Sequence, residues 1–206
     1  MVKVKICGIT NPNDARSAAQ LGADALGFNF VKGSPRHVTK ERARAIIEAL
    51  PPFVTSVAVF ANEPVRNVIA ICEFCGIRTV QLHGDEPQRY LSELPRMRLI
   101  KAVRLESEDD LRSLARYSCD AFLLDTYVPG ELGGTGATFD WQWARRAGLH
   151  APIIIAGGLN VGNVAEAVSI ARPYAVDVAS GVESAPGKKD RKLMAEFIAI
   201  AKGVQT

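Results

Sequence analysis

Short runs of aliphatic and β-branched residues recur along this chain, and each is followed by a segment whose apolar residues repeat at helical spacing. The runs fall at 2–6, 25–28, 56–60, 79–82, 99–103, 121–124, 153–156 and 175–178, which makes eight strands. Strands separated by a helix-length segment read as parallel βαβ units, because antiparallel neighbours need only a tight turn between them. The intervening segments open on residues that can accept from first-turn amides: Asn11 before Pro12, Thr39, Asn62 with Pro64, Asp85 with Pro87, Ser107 with Asp110, Asp140 and Asn160. Eight strands and eight helices in 206 residues leave little chain for anything else, and no Ser/Gly-rich linker divides it. The expectation is one domain over 1–206 of α/β class, a (β/α)8 TIM barrel with an eight-stranded parallel sheet, which suits this economy better than an open doubly wound sheet.

The 25 basic and 22 acidic residues are spread along the chain, so a net charge of +3 points neither to nucleic acid nor to a membrane as partner. The first five residues alternate apolar and basic, as a strand does, where a secretion signal needs a continuous apolar run. No stretch approaches the roughly 20 apolar residues of a membrane span, and the chain reads as cytoplasmic with reduced thiols. Cys72 and Cys75 are the only close cysteine pair, with no second pair or histidine pair to complete a zinc set. Residues 65–76 have the pattern of an amphipathic helix, so this pair reads as buried helix cysteines and no metal site is expected.

In a barrel of this kind the chemistry gathers where the strands end and their following loops converge. Those positions hold Cys7, Asn29, Asn62, His83, Arg104, Asp125, Gly157 with Gly158, and Ser180 with Gly181. The glycines after the seventh and eighth strands stand where such barrels hold phosphate, since glycine lets the backbone approach an anion and a helix start supplies amides. A second glycine-rich stretch, 129–136, includes Gly133, Gly134, Thr135 and Gly136 and is longer than a turn requires. It reads as a loop able to fold over a substrate, against the plainer alternative of a surface loop. A carboxyl at Asp125, straight after the apolar run 121–124, is costly to bury without a purpose or partner, although turn capping is its bland alternative. Cys7 ends the first strand, where a thiol acts as base only if nearby positive charge favours its thiolate; most such cysteines are small buried hydrophobes. Arg36 can offer a planar fork to a carboxylate or simply face water, and His83 can touch substrate or orient a loop. Lys101, inside the fifth strand, raises a Schiff-base reading beside that of a paired structural charge.

These residues resemble, in order and spacing over nearly the whole chain, the phosphoribosylanthranilate isomerase family. The motifs are Lys5-Ile6-Cys7-Gly8-Ile9-Thr10, Gly27-Phe28-Asn29-Phe30 with Ser34-Pro35-Arg36, Gln81-Leu82-His83-Gly84, Leu124-Asp125 leading to Gly133-Gly134-Thr135-Gly136, Ala156-Gly157-Gly158-Leu159, and Asp177 running into Ser180-Gly181-Val182-Glu183-Ser184. The resemblance implies an Amadori rearrangement of a phosphorylated ribosyl-amine in tryptophan biosynthesis, needing no metal or cofactor. Asp125 would be the acid that protonates the furanose oxygen, and Cys7 the base that takes the proton from the adjacent ribose carbon. Asp125 then needs a raised pKa and Cys7 a thiolate-favouring setting. Arg36 would hold the anthranilate carboxylate, Asp177 a ribose hydroxyl, and the amides around Gly157, Gly158, Ser180 and Gly181 the phosphate; His83 and residues 133–136 would also meet the substrate. The competing readings are another phosphate-binding barrel, such as indoleglycerol-phosphate synthase or a sugar-phosphate epimerase, and a catalytically silent phosphosugar binder. Both monomer and homodimer fit the sequence.

Overall fold

The computed structural model describes residues 1–94, 96–126, 138–147 and 151–205. In chain order it contains β1 (Lys3–Cys7), α1 (Pro12–Gln20), β2 (Ala25–Asn29), α2 (Lys40–Ile47), β3 (Thr55–Phe60), α3 (Val65–Cys75), β4 (Thr79–Leu82) and α4 (Gln88–Ser92). There follow β5 (Arg98–Leu105), a 3-10 helix (Glu108–Arg116), β6 (Ala121–Thr126), α5 (Trp141–Ala147), β7 (Ile153–Ile155), α6 (Val164–Ala171) and β8 (Ala175–Val178). A short 3-10 turn (Ser180–Val182), a hairpin of β9 (Glu183–Ala185) and β10 (Lys188–Lys189), and α7 (Arg191–Gly203) complete it. Strands β1 to β8 pair in sequence order, all parallel, and β8 pairs back onto β1 through Lys3↔Ala175 to Ile6↔Val178.

Closure gives each strand one face toward the helices and one toward the axis. Outward residues such as Val4, Ile6, Phe28, Phe60, Leu82, Leu124 and Val176 join the helices in one large core. Inward residues Val57, Ile100, Ala102, Leu123 and Ile154 form a second, smaller cluster that fills the barrel. With both faces covered, the strands read as continuous apolar runs, which is why their positions were visible in the sequence. The filled interior makes a solid floor, and among the described residues the room for a ligand lies above it, at the C-terminal ends of the strands.

The expected helix starts are met where the cap chemistry is strong. Asn11 Oδ1 accepts from the Asp14 amide at 2.9 Å, Thr39 Oγ1 from that of Arg42, and Asp140 Oδ1 from that of Gln142. Four expectations need correcting, among them Asp85: α4 begins after Pro87 without a side-chain cap. Asn62 adopts a left-handed backbone (φ 53°) and its side chain accepts from the Asp85 amide, so α3 begins after Pro64 without a side-chain cap. Asn160 accepts from the Gly162 amide in a local turn, and the N-cap of α6 is Asn163. The helix expected after β5 is a 3-10 helix although Ser107 and Asp110 form the anticipated capping box; of its nine residues only Leu114 is buried, too little packing to favour α winding.

Lys101 faces outward between the barrel and the helix layer. Its ammonium meets Glu86 Oε2 at 2.9 Å, the Gly84 carbonyl at 2.6 Å and the Leu82 carbonyl at 3.4 Å. Glu86 also accepts from the amides of Asn62 and Gly84, tying together the loops after β3 and β4. Lys101 is thus the paired structural charge, and the Schiff-base reading falls because its amine is outside the barrel. The two side chains are only 2 % and 1 % exposed, so removing one strands the other in a dry setting. Lys101→Met is expected to destabilise the protein by about 3–5 kcal/mol in urea unfolding, and adding Glu86→Gln to recover part of that loss.

Among the described residues no helix is long and apolar enough to cross a membrane.

Candidate active site

The alternation along the strands turns Cys7 of β1, Gln81 of β4, Asp125 of β6 and Asp177 of β8 toward the axis, and His83 follows in phase just after β4. These residues line one cavity of about 440 Å³ at the C-terminal ends of the strands, together with Arg36, Gly157, Gly158 and Ser180. Of the site residues expected from the sequence, Gly181 lies just behind the wall. Gly133, Gly134, Thr135 and Gly136 lie outside the described residues.

On one side of the cavity Asp125, 7 % exposed, accepts from the Thr126 amide through Oδ1 and meets His83 Nε2 through Oδ2 at 3.0 Å. Gln81 Nε2 lies 2.8 Å from His83 Nδ1. With Gln81 donating there, a neutral imidazole carries its proton on Nε2 and offers it to Asp125. Gly157, read from the sequence as a phosphate glycine, has a further duty. A Cβ there would sit 2.7 Å from Asp125 Oδ1, and its left-handed backbone (φ 79°) suits glycine in any case.

Cys7 stands across the barrel, partly exposed. Lys5, two residues earlier on the same inward face, pairs with Asp177 Oδ1 at 2.9 Å. The neighbouring strand makes room by using glycine: a Cβ at Gly27 would meet Cys7 Sγ at 2.7 Å and Lys5 Cε at 3.2 Å. Arg36 is gripped by Glu183 at both Nε (2.9 Å) and Nη2 (2.8 Å), which fixes the plane of its guanidinium and leaves Nη1 outside that clamp. Glu183 also takes the fully buried ammonium of Lys189 at 2.8 Å. Burial by itself would raise the Glu183 carboxyl, but Arg36 and Lys189 hold it below its ordinary value.

The thiolate-favouring setting expected for Cys7 is not what the unliganded site provides. Burial, and then the Asp177 carboxylate, push the thiol above its ordinary value, and Lys5 and Lys189 only partly oppose them. Burial above all thus favours the thiol form in the unliganded site.

At the far end, Gly157 and Gly158 are consecutive left-handed residues (φ 79° and 63°), and the Gly158 carbonyl is held by Asn160 and Asn163 side chains at 3.1 and 3.0 Å. The Ser180–Val182 turn packs against this loop so closely that a Cβ on Gly181 would collide with the Leu159 carbonyl. Sequence reading missed Gln81, Lys5, Glu183 and Lys189 as parts of the site. The first two show a signal in retrospect, a polar residue at an inward position of a strand; the other two are carried by a hairpin that had no strand-length pattern.

Fold and site together define an enzyme of the parallel eight-stranded barrel class, with a carboxyl and a thiol facing one cavity that is lined by glycines at one edge. The sequence model of the N-(5'phosphoribosyl)anthranilate (PRA) isomerase family matches residues 4–200. The N-(5'-phosphoribosyl)anthranilate isomerase of Geobacter sulfurreducens is 51 % identical over 203 residues, covering 98 % of this chain and 100 % of that protein. The crystal structure of phosphoribosyl anthranilate isomerase from Thermotoga maritima superposes with a TM-score of 0.92 at 42 % identity, covering 99 % and 100 % of the two chains. A structure of such an isomerase in complex with reduced 1-(o-carboxyphenylamino)-1-deoxyribulose 5-phosphate superposes at 0.87 with 41 % identity, covering 99 % and 100 %. The chain belongs to the N-(5'-phosphoribosyl)anthranilate isomerase family.

Because Gly181 keeps the loops after β7 and β8 in contact, Gly181→Ala is expected, if these loops hold phosphate, to raise KM about tenfold or more and to weaken competitive inhibition by inorganic phosphate in parallel. Steady-state kinetics with phosphate as inhibitor measures both.

Proposed function

We propose that this enzyme converts N-(5-phospho-D-ribosyl)anthranilate to 1-(2-carboxyphenylamino)-1-deoxy-D-ribulose 5-phosphate in tryptophan biosynthesis, with Asp125 as acid and Cys7 as base. The observation that carries the reading is that Cys7 and Asp125, 118 positions apart, line one cavity from strands three places apart around a closed barrel. Asp125 protonates the ring oxygen as the bond from that oxygen to carbon 1 breaks, leaving a Schiff base with the anthranilate nitrogen. His83 holds the carboxylate that remains. Cys7 removes the proton from carbon 2, giving an enolamine. Reprotonation at carbon 1 and loss of the hydroxyl proton at carbon 2 then yield the ketone, so carbon 2 is oxidised and carbon 1 reduced within one molecule.

The substrate is a small dianionic phosphate with a second anionic end, and the cavity has a fitting group for each. The glycine turn at Gly157 and Gly158 with Ser180 and Gly181 takes the phosphate. Arg36, braced by Glu183, takes the anthranilate carboxylate through Nη1, and Asp177 accepts from a ribose hydroxyl. A cytoplasmic enzyme acting as monomer or homodimer suits a pathway whose partners are small molecules.

Loss of anthranilate-substrate fluorescence follows the reaction directly. Cys7→Ser and Asp125→Asn are each expected to lower kcat by at least about 10²-fold, and stoichiometric binding by the unaltered protein without turnover would sink the reading. The pH dependence has a defined sign. The base works as thiolate, and burial holds the free thiol above its ordinary value, so the thiolate fraction of Cys7 rises with pH while the need for a protonated Asp125 runs the other way; the thiolate limb is therefore read from the rate of Cys7 alkylation, which climbs through neutral pH.

A further inference from the structure

We propose that Lys5 is a positioning residue for the base: its buried ammonium, shared between Asp177 and the Cys7 sulfur, is the counter-charge that holds the thiolate once a substrate hydroxyl engages Asp177. The proposal rests on the reading of Cys7 as base and adds the group that makes that base available.

Lys5 is 3 % exposed, faces the axis, and has no part in the proton transfers described above. The contrast with Lys101 is informative. Both are buried strand lysines, but Lys101 directs its ammonium at Glu86, Gly84 and Leu82, which can occupy all three of its protons. Among the described residues Lys5 has one oxygen acceptor, Asp177, and the Cys7 sulfur is the other group its ammonium addresses. Such an ammonium is expensive to keep unless a further negative group is meant to share it. Cys7 Sγ and Lys5 Cε converge on the same space, each within 3.2 Å of where a Cβ on Gly27 would stand.

The charges around the sulfur point the same way. Lys5 comes from its own strand, Arg36 from the loop after β2, Asp177 from β8, Glu183 from β9 and Lys189 from β10. Arg36 and Lys189 are both tied to Glu183, and Lys5 to Asp177. Three cations thus face two carboxylates, and a thiolate supplies the missing negative charge. In the free enzyme the Asp177 carboxylate is closest to satisfying Lys5, consistent with a thiol that burial and Asp177 push up while Lys5 and Lys189 draw it down. A ribose hydroxyl donating to Asp177 weakens that hold, and the ammonium becomes available to the sulfur.

The test reads the thiol itself. In the full-length protein, carboxamidomethylation of Cys7 by iodoacetamide is followed against pH by peptide mapping, which separates Cys7 from the three other cysteines. Lys5→Met is expected to move the midpoint up by about one pH unit or more, Lys5→Arg to leave it near that of the unaltered protein, and Asp177→Asn to move it down. A merely loosened structure would expose the thiol and speed alkylation in Lys5→Met, the opposite sign. A midpoint unmoved or lowered in Lys5→Met overturns the proposal. Should Lys5→Met not fold, an unmoved or raised midpoint in Asp177→Asn overturns it and a lowered one supports it. Alkylation does not depend on turnover, so a Cys7→Ser enzyme that stayed active would refute the base assignment without touching this result.

Discussion

The pairing of β1 with β8 is the contact on which the site depends. It joins the first strand to the last, sets Lys5 opposite Asp177 in the register, and forms an ion pair between residues 172 positions apart. Without that closure the sheet would have two open edges, and Cys7 would stand at one of them instead of facing Asp125 across a filled interior. Closure also removes the exposed edges that an eight-stranded open sheet would have to protect.

Once the barrel is closed, Asp125 and Cys7 sit in different electrostatic neighbourhoods. Asp125 is placed against a histidine whose tautomer is set by a buried glutamine. Cys7 is placed among lysines, an arginine and carboxylates whose ion pairs hold one another in position. This separation keeps a carboxyl and a thiol in the same cavity in distinct surroundings. Glycine makes much of the arrangement possible: Gly27 beneath Cys7, Gly157 beside Asp125 and Gly181 against Leu159 each stand where a Cβ would collide with its neighbour.

Much of this was legible from residues alone because it depends on local pattern. The eight strands are apolar runs covered on both faces, and each of their eight ends carries the polar or glycine residue that a site at the barrel mouth requires. The helix starts at Asn11, Thr39 and Asp140 were legible because side-chain capping acts within one turn. Asn62 and Asn160 misled because the same side chain stabilises a tight turn as readily as it caps a helix, and the choice between them is made by the residues packed around the turn. Cys7 was misjudged for a similar reason. Its residue type and place were plain, but its ionisation depends on burial and on Asp177, neither of which is local to it.

The amino-acid sequence by itself determined the order and parallel sense of the strands, the inward phase of Cys7 and Asp125, and the glycines at the seventh and eighth strand ends. These follow from two short periods, that of a strand and that of a helix, which act over a few residues. The tertiary structure alone decided which charges meet: Lys5 with Asp177, Arg36 and Lys189 with Glu183, Gln81 through His83 with Asp125. Such pairings follow from closure and from the hairpin after β8, and electrostatic interaction depends on distance in space, which a linear chain does not state until its ends are brought together.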